Sequence, residues 1–290
     1  MDDIILAKTA GFCFGVDRAI KKLDQAIEEH AKPVFTIGPI IHNKNVMEYY
    51  ENQGVHIADE IGALNQGSIA VIRSHGVGKQ CYDELAKKDA VVIDATCPYV
   101  KKVQEIAHRY HSEGYQILII GDSKHPEVIG VNGWCEHQAK IINSKKDVLN
   151  LQNCGRICVV AQTTIIEAIF QEIVNAVQER FPETIVFNTI CSATEERQNE
   201  AAKIAKDVDK MIVIGDKKSS NTKRLAEICR LYNTNVYQIE SAAELDETIF
   251  LENDRVGITA GASTPAWIIK EVAEKVWMSK QEFRSSTKKH

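Results

Sequence analysis

The sequence lacks any run of about eighteen consecutive apolar residues, so no transmembrane helix is expected. It lacks the layout of a secretory signal: MDDIILAKTAG opens on two acids with no basic stretch before an apolar core, and a cytoplasmic location is the expectation. It lacks an excess of positive charge. The net charge of −5 argues against a broad nonspecific nucleic-acid surface and leaves room only for a local basic pocket. No CxxC pair is present, which removes the usual support for a zinc ribbon or a thioredoxin-like site. No GxxxxGK[ST] is present, so ATP bound through a P-loop is not supported. No GxGxxG follows the first strand, so a nicotinamide site of the Rossmann type is not supported.

What remains is an ordinary globular chain: 290 residues, 44% hydrophobic and 26% charged. That length suits two domains or three small ones. Three Val- and Ile-rich runs end in glycine: PVFTIG (33–38), QILIIG (116–121) and KMIVIG (210–215). They predict buried strands of parallel sheets. A second strand-like run follows each, in IAVIRSHG (69–76), ICVVAQTT (157–164) and RVGITAGAS (255–263). Amphipathic segments at 16–32, 99–114 and 194–210 predict helices. Strand–helix alternation predicts an α/β fold.

A repeat lies inside this pattern. Cys13 precedes Gly38 by 25 residues, while Cys97 precedes Gly121 and Cys191 precedes Gly215 by 24 each. A polar cluster follows each glycine: His42-Asn43, His125-Pro126-Glu127 and Ser219-Ser220-Asn221. The expectation is three similar α/β lobes with mostly parallel sheets, 1–96, 97–190 and 191–265, with about 266–290 returning to the first lobe. In a pseudo-threefold arrangement the strand-end loops would meet around one centre, where ligands of such sheets bind. The tail 284–290 is expected to fray.

Eight cysteines are present. A disulfide framework does not suit a chain of this length without an export signal. Cys13, Cys97 and Cys191 each sit at a strand-to-helix turn, where a helix N-terminus favours a thiolate. Three such thiolates suit zinc or an iron–sulfur cluster. The wide spacing and the absence of a chelating pair favour the cluster, with one iron left open. Zinc with a histidine as fourth ligand stays open as well. Cys81, Cys135, Cys154, Cys158 and Cys229 occupy ordinary segments and are expected to be structural.

The polar clusters suit an anion. His42, His75 and His125 each follow a strand, at loop positions that look equivalent. Ser219, Ser220, Asn221, Thr163, Thr164 and Ser263 add hydroxyl and amide donors, a set fit for phosphate or diphosphate. Glu127 is the one carboxylate among these loops. In a water-poor anion site its proton affinity should rise, as a proton donor requires.

Taken in order, GFCFGVDRAI, HN (42–43), RSHGV (73–77), DATCP (94–98), HPEV (125–128), AQTT (161–164), SSNTKRL (219–225) and GITAGASTP (257–265) resemble the 4-hydroxy-3-methylbut-2-enyl diphosphate reductase family, also called LytB, from about residue 4 to 275. The resemblance implies a three-lobed α/β fold around a [4Fe-4S] cluster. It implies reductive dehydroxylation to isopentenyl and dimethylallyl diphosphates, the last step of the methylerythritol phosphate route. Cys13, Cys97 and Cys191 match the cluster ligands. His42, His75, His125, Ser219, Ser220, Asn221 and Ser263 match the diphosphate binders. Thr163 matches the threonine near the substrate hydroxyl, and Glu127 the proton donor. Phe14, Arg73 and Lys218 flank these positions and vary. The family suggests a ferredoxin or flavodoxin as electron donor, and no nucleic-acid or membrane partner. A zinc-dependent phosphoester hydrolase and a non-catalytic sensor are the competing readings.

Overall fold

The computed structural model describes residues 3–152 and 155–287, with side chains as far as Gln281. Each expected strand forms. Residues 33–38 give β2 (Val34–Ile37), 69–76 give β4 (Ile69–Ile72), and 90–94 give β5 (Val91–Asp94). The second set is β6 (Gln116–Ile120), β8 (Ile157–Ala161) and β9 (Ile185–Val186); the third is β10 (Lys210–Ile214) and β12 (Val256–Ala260). Four short strands complete the list: β1 (Ile4–Leu6), β3 (Val55–Ala58), β7 (Lys140–Ile142) and β11 (Val236–Ile239).

The twelve strands make three four-stranded sheets. Sheet I has the order β3-β2-β4-β5, sheet II β7-β6-β8-β9, and sheet III β11-β10-β12-β1. Every pairing is parallel. The order is the same three times, so the repeat in the sequence is a repeat in topology. Parallel neighbours need crossovers, which the helices supply.

The helices are α1 (Phe14–Glu29), α2 (Lys44–Glu51), α3 (Lys79–Lys87), α4 (Pro98–Ser112) and α5 (Pro126–Gly133), then α6 (Lys145–Leu149), α7 (Glu167–Arg180), α8 (Ser192–Asp207), α9 (Ser220–Arg230) and α10 (Ala266–Thr287). They cover both faces of the sheets, which explains why the central strands are largely apolar and why Thr36 and Thr259 within them are buried too. In sheet II, Leu118, Ile120, Val159 and Ala161 face α7, while Ile117, Ile119, Cys158 and Val160 face α4 and α5. Sheet III alternates in the same way: Ile212, Ile214 and Ile258 pack with α10, and Met211 and Val213 with α8 and α9. Each such buried aliphatic side chain contributes roughly 1.5–3 kcal/mol.

The described chain falls into two compact units. Of the described residues, one unit holds 3–14, 42–46 and 192–287, with sheet III; the other holds 15–41, 47–152 and 155–191, with sheets I and II. Two expectations change here. β1 does not belong with β2–β5: it pairs with β12, Ile4 opposite Val256. Residues 266 onward do not return to sheet I but pack on sheet III, where Ile268, Val272 and Val276 share a core with Ile4 and Ile258. The apolar strand end IIL needs a partner on one edge, and β12 supplies it. The 284–290 stretch is helical as far as Thr287.

Candidate functional site

Each of the three proposed cluster cysteines leaves the outer strand of a sheet and opens a helix: β1 leads to Cys13 and α1, β5 to Cys97 and α4, β9 to Cys191 and α8. Pro98 takes the first helical position of α4, with Cys97 as its N-cap. The three turns are built alike. The Cys97 amide donates to Ser74 O (2.9 Å), the Cys191 amide to Thr163 O (3.1 Å) and the Cys13 amide to Ala262 O (3.3 Å). Each acceptor lies two residues past the end of the neighbouring strand, β4, β8 or β12.

This register corrects the histidine assignment. His75 follows β4, so its counterparts are Thr164 after β8 and Ser263 after β12. His42 and His125 follow the first strands β2 and β6 and belong to a different loop set. In that set Asn43, His125 and Ser219 are the equivalent residues, for each caps a helix. Asn43 Oδ1 accepts from the Val46 amide (3.1 Å), His125 Nδ1 from the Glu127 amide (3.2 Å) and Ser219 Oγ from the Thr222 amide (3.4 Å). Such side-chain oxygens and nitrogens satisfy otherwise orphaned helix N–H groups.

The unit with sheets I and II gathers His75, His125, Glu127 and Thr163. The rings of His75 and His125 meet edge to face, 5.3 Å between centroids. Glu127, on the first turn of α5, is 2% exposed. The Thr163 amide donates to its Oε1 (2.6 Å) and the Thr163 hydroxyl to its Oε2 (2.9 Å). Burial pushes the Glu127 carboxyl up to about 7, against the opposing pull of these two hydrogen bonds. The group therefore holds a proton near neutral pH and can release it.

The other unit gathers His42, Ser219, Ser220, Asn221 and Ser263. Ser263 Oγ donates to His42 O (2.8 Å), and Asn43 Nδ2 donates to Ser263 O (2.9 Å). Asn221 is buried, and neither its Oδ1 nor its Nδ2 has a hydrogen-bond partner. An unsatisfied buried amide costs about 1–3 kcal/mol, a cost that a polar ligand would relieve.

A sequence model of the LytB protein family matches residues 4–277. The chain belongs to the LytB family. The proteins similar to it include the 4-hydroxy-3-methylbut-2-enyl diphosphate reductases of Thermoanaerobacter pseudethanolicus, 46% identical over 96% of this chain and 98% of that protein, and of Clostridioides difficile, 45% identical over 93% and 97%. Among solved structures, the E-1-hydroxy-2-methyl-but-2-enyl-4-diphosphate reductase of Plasmodium falciparum superposes with a TM-score of 0.89 at 30% identity, over 94% of this chain and 87% of that one. A second, (E)-4-hydroxy-3-methyl-but-2-enyl diphosphate reductase, described as the terminal enzyme of the non-mevalonate pathway, gives 0.71 at 42% identity over 96% and 100%.

The cysteines of this LytB-family chain divide in a way that fits a three-thiolate ligand set. Burial pushes the Cys81 thiol up to about 11 and those of Cys135, Cys158 and Cys229 to about 12. Such thiols are poor metal ligands. Cys13, Cys97 and Cys191 instead lie part-exposed at helix N-termini. No disulfide joins the seven described cysteines; Cys154 lies outside the described residues. Two site residues were missed in the sequence reading. Asn43 holds the Ser263 carbonyl, and Ser74 carries the Cys97 turn while its Oγ donates to Ile40 O (2.9 Å). The HN and RSHG motifs contained both, but their neighbours His42 and His75 drew the functional reading. Among the described residues, no helix is long and apolar enough to cross a membrane.

Proposed function

We propose that the chain reduces 4-hydroxy-3-methylbut-2-enyl diphosphate to isopentenyl and dimethylallyl diphosphates as the last step of the methylerythritol phosphate route. Family membership supports the reaction. The observation that carries the assignment of roles is the buried Glu127, its proton affinity raised by burial, held by Thr163 in the same unit as two contacting histidines.

Cys13, Cys97 and Cys191 would hold a [4Fe-4S] cluster. When bound, such a cluster supplies electrons one at a time and one iron without a protein thiolate, available as a Lewis acid. His42, His75, His125, Ser219, Ser220, Asn221 and Ser263 bind the diphosphate, and their binding energy orients the hydroxyl end. The Thr163 hydroxyl lies next to the departing oxygen. Glu127 holds the proton and passes it through Thr163, so that the C–O bond breaks and water leaves. The balance is two electrons and two protons per substrate: one proton departs in water, the other ends on either terminus of the allyl carbon skeleton. That choice yields two products. The electron donor is a ferredoxin or flavodoxin, and the reaction runs in the cytoplasm.

Metal analysis of protein purified without oxygen tests the reading. Iron and acid-labile sulfide near about four each per chain, with turnover once a reductant is added, are expected. About one zinc and no sulfide would sink it and favour a hydrolase. A full cluster with no turnover would favour a sensor.

A further inference from the structure

Helix α5 presents two glycines on one face, Gly130 and Gly133, toward the loop 73–78 that carries His75. At Gly133 an added β-carbon would lie 2.7 Å from the Cα of Gly78, closer than real contacts allow. At Gly130 the nearest atoms, the Gly76 and Val77 backbone, would be 3.5 Å away, an ordinary contact. The loop and the helix therefore touch backbone to backbone at one point, Gly78 on Gly133. Beside it the Val77 carbonyl accepts from Trp134 Nε1 (3.0 Å) and from Gln104 Nε2 (3.3 Å). The Trp134 indole packs against Tyr82 and His108, and His108 Nδ1 is bonded to the Trp134 carbonyl (2.9 Å).

We propose that Gly133 and Trp134 are positioning residues for the substrate's diphosphate: they seat the His75 loop on α5 and so fix His75 against His125. The inference rests on the reading of these histidines as diphosphate contacts. Its mechanical basis is an asymmetry. Helix α5 is anchored by Val128 and Val131 in the core it shares with β6, β8 and Cys135, whereas the loop is held from the sheet I side at Ser74, bonded to the Ile40 carbonyl, and at the buried Val77, and His75 and Gly76 lie between those two points. A side chain at position 133 would be accommodated by the loop. His75 would move, while the Glu127–Thr163 pair, made between α5 and the end of β8, would stay. Loss of a binding contact that is the same in ground and transition states raises KM and spares kcat.

The test uses cluster-loaded enzyme and four variants: Gly133→Ala, Gly130→Ala, Trp134→Phe and His125→Ala. Turnover gives KM and kcat, calorimetry gives the Kd of inorganic pyrophosphate, and thermal unfolding gives Tm. Gly133→Ala is expected to raise KM and the pyrophosphate Kd about tenfold with kcat within about twofold. Trp134→Phe, which keeps an aromatic ring but removes the indole N–H, should raise both about threefold. Gly130→Ala should match the parent. Folded Gly133→Ala with unchanged pyrophosphate affinity would overturn the proposal. So would equal effects at 130 and 133 that follow Tm alone. Should Gly133→Ala not fold, unchanged pyrophosphate binding in Trp134→Phe would overturn it by itself. His125→Ala separates the two levels: normal binding there would refute the histidine reading, whereas weak binding there with normal Gly133→Ala would refute only the seam.

Discussion

Replacing Glu127 by Gln keeps the shape and removes the ionisation. One side-chain oxygen can still accept the Thr163 amide, and the Thr163 hydroxyl can turn to accept from the new NH2. The structural cost is therefore small, and the energetic consequence follows from the shift in proton affinity. The carboxyl lies near 7 in the folded chain against an ordinary value of 4.5. Between those two values the unfolded chain loses its proton while the folded chain keeps it. Stability therefore falls as pH rises through that window, by about 3 kcal/mol at 1.36 kcal/mol per unit, and levels off above about pH 7. Glu127→Gln does not pay this cost. Its Tm should match the parent near pH 4.5 and exceed it at pH 8. Turnover should move in the opposite direction. The parent should lose activity as pH rises through about 7, because the proton donor is spent. The variant should lack that limb and run about 10²–10⁴-fold slower than the parent below about pH 7, with KM unchanged and the gap narrowing as pH rises further. Anaerobic turnover and calorimetric melts across pH 4.5–8.5 would measure both. A constant Tm difference over that range would refute the assigned proton affinity. A rise in KM matching the fall in kcat would refute the proton-donor role.

Three further outcomes can be checked. Cys191→Ala should lose iron and sulfide from anaerobically purified protein, while Cys158→Ala, in the core of sheet II, should retain both and lose about 1 kcal/mol of stability. Asn221→Ala should weaken pyrophosphate binding about tenfold by calorimetry, with the ligand-free protein at least as stable as the parent, since removing an unpartnered buried amide relieves its desolvation cost. Asp254→Asn should lower stability in urea unfolding by about 3–5 kcal/mol without changing KM, because it strands the Lys210 ammonium 3.0 Å away at a site where both side chains are about one-tenth exposed.

The central strands of all three sheets were legible in the sequence because helices cover both of their faces. Burial on both sides forces runs such as ICVVA, which no surface element would carry. Of the outer strands, β5 and β9 were legible as the runs that lead into Cys97 and Cys191, and β1, β3, β7 and β11 were not. β3, VHIA, exposes His56, and β11, VYQI, is half-buried at three of its four positions, so neither shows a clean apolar run or alternation. The phase of the cysteines was legible because topology repeats it. The grouping of the histidines was not: His42 and His75 look alike along the chain, and only the strand register assigns His75 to the same loop position as Thr164 and Ser263. The membership of β1 in the last sheet was likewise hidden, since three residues at one end of a chain carry no mark of a partner at the other.

That last pairing has a consequence for biosynthesis. Sheets I and II are complete once Val186 has been made. β1 is made long before β12 and cannot pair until β12 follows, and the Cys13 turn is bonded to the Ala262 carbonyl. Cys13 is thus made before Cys97 and Cys191 but fixed in place after them. During elongation the Ile4–Leu6 segment waits with an unpaired edge, a stretch that a chaperone can hold and that a stalled or truncated chain leaves open to aggregation. A ligand that needs the Cys13 turn in place must therefore wait until Ala262 has been made.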